Sequence, residues 1–321
     1  MKKQSHKFRF LGVVLALLVC CTLFTSVNAK STVVSKGSTV PFYAWQLGGI
    51  YDDAGTLDDA AKTLGITHVI ITTDPKNIEW LLENFQTAGL HLVPQLAKWD
   101  DYTDSDGNFD FDAWQEKILA FKDLYPTLKP FIKDGTFAGV LLLDDLGNFT
   151  DGGPSAATLD KMAKVVRDVF KIKGSNFQLI VRDDPSAVLE RNGYSSYPFR
   201  YVNRLYIEIT AVKVDNYAGG DLKKFIKTEL IAAKKLKVPA IMGINLLDYN
   251  STSSSVCSGS YAGTRWDRCA ATPSQISEVG AAMKGKNKFG VAVWKITSES
   301  AYDFALEDSG YVEALRNLVG L

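Results

Sequence analysis

The sequence predicts an α/β fold, a single (β/α)8 barrel, on three observations. Eight short apolar, β-branched runs alternate with amphipathic stretches rich in Ala, Lys and Leu. The runs are nearly continuous, as in strands buried on both faces of a parallel sheet. The spacing is about 35 residues per run, the size of one βα unit in a barrel of about 250 residues. No Pro/Gly/Ser-rich linker divides the units; one such stretch, 248–264, sits inside a unit as an insertion. An open doubly wound sheet is the alternative, but its dinucleotide fingerprint is missing.

The first element is an address. Residues 1–10 carry four Lys or Arg and no acid, and 11–24 form an unbroken apolar run. Val27 and Ala29 are small residues at the −3 and −1 positions of a cleavage site. This is the plan of a secretory signal peptide over residues 1–29, with 30–40 as an N-terminal linker and 41–321 as the barrel domain. The apolar run is shorter than the roughly 20 residues a spanning helix needs. The expectation is a secreted, extracellular monomer, with no stable membrane insertion after cleavage.

The predicted strands follow at 41–47, 67–72, 91–97, 137–145, 177–183, 204–210, 239–247 and 290–297. Helical patterns fall at 57–64, 76–88, 111–125, 155–172, 220–236, 273–286 and 301–319. The fifth slot, 184–200, starts helical and breaks at Gly193 and Pro198. Gly before a strand and Asp, Ser or Thr before a helix mark the joints.

Composition narrows the chemistry. The chain has 36 Lys and Arg, 36 Asp and Glu, three His and four Cys. Without residues 1–29 it carries 32 basic and 36 acidic residues, a mild negative balance that gives no reason to seek nucleic acid. No HExxH or Cys-x-x-Cys pair occurs, and no GxxxxGK[ST] or GxGxxG, so no metal or other cofactor is expected. Cys257 and Cys269 are expected to pair as a disulfide in an oxidising compartment, worth roughly 2–3 kcal/mol for so short a loop; a free-thiol role is the alternative. Residues 101–112 look calcium-like but lack two key ligands, and read as a turn before a helix. His68 and His91 stand at strand starts, away from the catalytic face.

In a barrel the active site lies at the carboxyl ends of the strands. The fourth run ends in Asp144 and Asp145. Two carboxylates against an apolar wall should push one pKa up, as a general acid needs. Equally, one of them could cap a turn while the other bonds a neighbour such as Arg182. Glu208 lies inside the apolar run YIEIT. Burial of an unpaired charge is costly, so Glu208 is either paired, with Arg182 or Lys295, or a catalytic base. Trp45, Trp99 and Trp294 recur at strand ends and suit a sugar ring, or close the barrel mouth. Gln46, Lys98, Asn245 and Asp248 are further polar groups at those ends.

From about 40 to 320 the chain resembles the secreted TIM-barrel glycoside hydrolases and the glycosidase-like (β/α)8 barrels related to them. The resemblance rests on GVLLLDDLG, IVRDDP, RLYIEIT, VPAIMGINLLD and FGVAVWK. It is closest to a group with an acidic pair after strand 4, an Arg in strand 5, and a Trp plus a basic residue after strand 8. The large retaining clan carries Asn-Glu after strand 4 and Glu after strand 7; here stand Asp144-Asp145 and Asp248. The chitinase-type DxxDxDxE run is absent. The resemblance implies a carbohydrate substrate and glycosidic bond hydrolysis. Asp145 would be the general acid, Glu208 the base or nucleophile, and Asp144 and Arg182 their tuning partners. The three Trp would stack on sugar rings, and Asn245 would bond a hydroxyl. Carboxyl groups about 5–5.5 Å apart imply retention, about 6.5–9.5 Å inversion. A non-catalytic glycan or cell-wall binding barrel is the rival reading, and a metal-assisted hydrolase using Asp144, Asp145 and Asp183 a third.

Overall fold

The computed structural model describes residues 40–45, 54–144, 146–246, 271–294 and 309–321. The chain divides into a unit Met1–Lys36, outside the described residues, and a unit Gly37–Leu321 that holds the barrel. The signal peptide and the Cys257–Cys269 pairing therefore lie outside the described residues. No helix among the described residues is long and apolar enough to cross a membrane.

Eight strands form: β1 (Phe42–Trp45), β2 (His68–Thr72), β3 (His91–Gln95), β4 (Gly139–Leu143), β5 (Gln178–Arg182), β6 (Arg204–Ile209), β7 (Ala240–Asn245) and β8 (Val291–Trp294). Each pairs in parallel with the next, and β1 pairs with β8, so the sheet closes as a barrel in chain order. Every strand matches a predicted run, trimmed by one to four residues.

The helices are α1 (Ala54–Leu64), α2 (Ile78–Thr87), α3 (Phe111–Leu119), α4 (Tyr125–Asp134), α5 (Ala156–Val169), α6 (Pro185–Arg191), α7 (Ala211–Ala218), α8 (Leu222–Lys235), α9 (Pro273–Met283) and α10 (Ser309–Leu318). Asp110, Ser155, Thr210, Asp221 and Thr272 cap α3, α5, α7, α8 and α9, each accepting a backbone N–H three residues on. Two helices depart from the sequence reading. α4 runs beyond the helical pattern 111–125; Pro126 sits in its first turn, where proline is tolerated, and burial of Leu128 and Phe131 holds the helix through Pro130. α7 is short and lies ahead of the helical pattern 220–236, where no helix was assigned. α6 stops ahead of Gly193, as expected.

Strand alternation sorts the core. Tyr43, Trp45, Ile70, Val93, Leu141, Ile180, Tyr206, Ile241 and Ala292 fill the barrel interior. Their alternates, such as Phe42, Leu92, Leu142, Val181, Ile207 and Met242, join the layer between sheet and helices. Inside, the Tyr206 ring lies so close over Gly243 that an added Cβ would meet it at 1.8 Å. Only glycine fits there.

At the N-terminal end the barrel is closed by polar aromatics. The Tyr43 hydroxyl donates to Gln178 Oε1 at 2.6 Å, and His68 stacks between Tyr43 and His91, 4.6 Å from each. Burial pushes His68 down to about 3 and Tyr43 up to about 12. Both histidines are thus at the bottom face, as their positions predicted.

Candidate active site

The inward positions one step above the interior core build the mouth. Two residues beyond Tyr43, Val93, Ile180, Tyr206 and Ala292 come Trp45, Gln95, Arg182, Glu208 and Trp294. Period-two alternation turns all five to the same side as the core residue below them. Asn245, at the end of β7, pairs in register with Trp294.

Arg182 is the hub. It is 3% exposed. Its Nε lies 2.8 Å from Asp144 Oδ1, and its Nη2 lies 3.8 Å from Glu208 Oε1. The guanidinium sits 5.1 Å from the Trp45 ring and 5.1 Å from the Trp294 ring. Two indole faces therefore share one cation, an attractive arrangement in a dry site. Trp45 in turn stacks on Tyr206 at 6.2 Å. The sequence left Asp144 open between a turn cap and a bond to Arg182; the structure shows the ion pair.

Glu208 is held on both oxygens. Asn245 Nδ2 donates to its Oε1 at 3.1 Å, and Lys213 Nζ lies 3.1 Å from its Oε2. Glu208 is therefore paired, and its second cation is Lys213. Lys213 also reaches Asp184 Oδ2 at 2.8 Å, while Asp184 Oδ1 accepts the Glu208 backbone N–H at 3.1 Å. Burial pushes Asp184 up to about 7 against the opposing pull of Lys213. Lys213 is itself raised, burial being outweighed by the charges of Asp184 and Glu208. Asp184, after β5, is thus an acid that burial carries toward neutrality.

Lys213 escaped the sequence reading because it belongs to α7, which was not expected. One signal existed. Lysine in the first turn of a helix opposes the macrodipole, and such a conflict marks an acidic partner nearby.

The remaining expected residues divide. Lys98 is exposed and precedes the 3₁₀ turn Trp99–Asp101. Trp99 stacks on Phe149 at 4.4 Å and packs edge-on to Tyr102 at 6.0 Å, at the β3 sector of the rim. Asp145, Gln46, Asp248 and Lys295 lie outside the described residues. Asp183 forms an ion pair with Arg191. Among the described residues no three His, Cys, Asp or Glu are grouped to hold a metal ion. In the calcium-like segment Asp104 turns inward on the backbone N–H groups of Asp106 and Asn108, at 2.9 and 2.8 Å, which is turn chemistry.

One consequence is measurable. The folded pKa of Asp184 lies above its unfolded value, so its contribution to stability is full below about 4 and is lost as pH rises through about 7. Asp184→Asn should remove that loss. Urea unfolding of both proteins from pH 5 to 8 should show the variant gaining on the wild type as pH rises. A constant difference across the range contradicts the assignment.

No protein-family model and no curated protein matches the chain in sequence. Solved structures do match in shape. A glycoside hydrolase family 5 enzyme from Prevotella bryantii B14 superposes with a TM-score of 0.57 at 14% identity, over 88% of this chain and 96% of that one. One of two fungal β-1,4-galactanases gives 0.54 at 10% identity, over 89% and 100%. The endo-β-1,4-mannanase from Thermotoga petrophila gives 0.52 at 10% identity, over 89% and 77%. At these identities the likeness establishes a shared fold, and function must come from the site. The described chain is a single closed (β/α)8 barrel of the architecture that these glycoside hydrolases share.

Proposed function

We propose that this is a secreted carbohydrate-active barrel that hydrolyses glycosidic bonds by carboxylate chemistry at its mouth. The observation that carries the reading is Arg182, a buried guanidinium between two indoles that meets both Asp144 and Glu208. It holds two carboxyl groups at the carboxyl ends of β4 and β6, where barrel enzymes place their chemistry. The likeness to glycosidase barrels supports the same substrate class.

Roles follow from contacts. Both Glu208 oxygens already accept or face donors, so Glu208 serves as nucleophile or base rather than as proton donor. Asn245 and Lys213 fix its orientation. Arg182 offsets the charge of Asp144 and Glu208 together. Asp145, next to Asp144 in sequence, is assigned the general acid. Trp294, half-buried at the rim, offers a ring to the sugar; Trp45, 2% exposed, forms the floor. The residues 1–29 supply the export signal.

The rival is a barrel that binds glycan without turnover. The mature chain from residue 30, incubated with soluble galactomannan, β-1,4-galactan and hydroxyethyl cellulose, should release new reducing ends from at least one. Retention in a gel containing a polymer, with no release from any, would decide for the binder.

A further inference from the structure

A second feature of the rim is independent of the carboxylates. A groove of about 930 Å³ opens beyond the ends of β2 and β3, between the first turn of α2 and the end of α3. Its floor is apolar, with Leu81 and Leu96. Its wall carries Trp80, 41% exposed and the most open of the described tryptophans. Thr73 also lines it, 9% exposed, with an Oγ1 that is buried and bonds no other protein group. Buried hydroxyls are nearly always hydrogen-bonded, and a small rotation that turns this one toward the groove would give it a partner there.

Charge narrows the occupant. Two carboxylates, Asp74 and Asp101, and two ammonium groups, Lys98 and Lys117, line it together. Lys117 lies 3.0 Å from Asp101, and Asp74 accepts the backbone N–H groups of Lys76 and Asn77 at 2.8 and 3.1 Å. The groove therefore has no net charge to offer an anionic or cationic polymer. An open indole face, an unmatched hydroxyl and exposed neutralised polar groups suit a ligand with flat apolar faces and hydroxyl edges.

We propose that this groove is a distal subsite for a neutral polysaccharide, with Trp80 as stacking platform and Thr73 Oγ1 as a hydroxyl partner. It shares its ligand class with the reading of the mouth, and goes beyond it by making the substrate a chain long enough to reach the β2–β3 rim. The ion pairs and ring contacts of Arg182 and Glu208 given above involve neither residue.

Affinity electrophoresis of the mature chain through gels containing galactomannan, β-1,4-galactan or hydroxyethyl cellulose tests this. The proteins are wild type, Trp80→Ala and Thr73→Val. At least one polymer should retard the wild type. Trp80→Ala should weaken that retardation about tenfold or more, the size a stacked tryptophan carries at many interfaces. Thr73→Val, which keeps side-chain volume, should weaken it about fivefold. Equal retardation of wild type and Trp80→Ala overturns the proposal, as does a wild type that none of the polymers retards. Failure of the mouth reading looks different: no reducing ends appear, while retardation still depends on Trp80.

Discussion

Glu208→Gln is expected to lower hydrolysis by about 10³-fold or more while leaving the barrel folded. The change is nearly isosteric, and glutamine can still accept from Asn245 at Oε1. What it removes is the negative charge that attacks the sugar or activates water. Lys213 then loses one of its two acids but keeps Asp184 at 2.8 Å. A matched pair of kinetic and thermal-unfolding measurements checks both halves. A variant with more than about a tenth of wild-type turnover would show that Glu208 serves only to anchor Arg182 and Lys213.

Arg182→Leu should have the largest effect on stability, a loss of about 3–5 kcal/mol. The guanidinium is 3% exposed and is an ion-pair partner of Asp144 and Glu208. Leucine supplies apolar volume but takes from Asp144 the guanidinium that lies 2.8 Å away. It also removes the cation from between Trp45 and Trp294. Urea unfolding at pH 7 measures the loss directly. A loss below about 1 kcal/mol would mean that the solvent reaching Asp144, whose side chain is 27% exposed, screens the cluster.

The fold was legible because a buried parallel strand writes a continuous apolar run, and eight such runs at even spacing leave few architectures. Tertiary packing overrode local rules at α4, where buried Leu128 and Phe131 outweighed the interior Pro130. The mouth was partly legible for a simple reason. Arg182 and Glu208 are charges at the ends of apolar runs, and a strand end in a barrel has only one functional face. Lys213 was not legible, since it reaches the site from a helix whose existence the pattern did not announce. Nor was the environment of Asp184: its sequence position after β5 was plain, but burial against Glu208 and Lys213 is a property of three separate segments. Trp80 looked like part of an ordinary amphipathic helix, and only its exposure beside the buried Thr73 hydroxyl sets it apart.

The most direct measurement is reducing-end release from the polysaccharide that the wild type degrades, run beside Asp144→Asn, Asp145→Asn and Glu208→Gln, each verified as folded. Hydrolysis at the mouth predicts release by the wild type that falls by about 10³-fold or more in Glu208→Gln and by about 10²-fold or more in at least one of the two aspartate variants. Release that survives all three substitutions would place the chemistry elsewhere on the barrel and contradict the assignment of the Arg182 cluster as the active site.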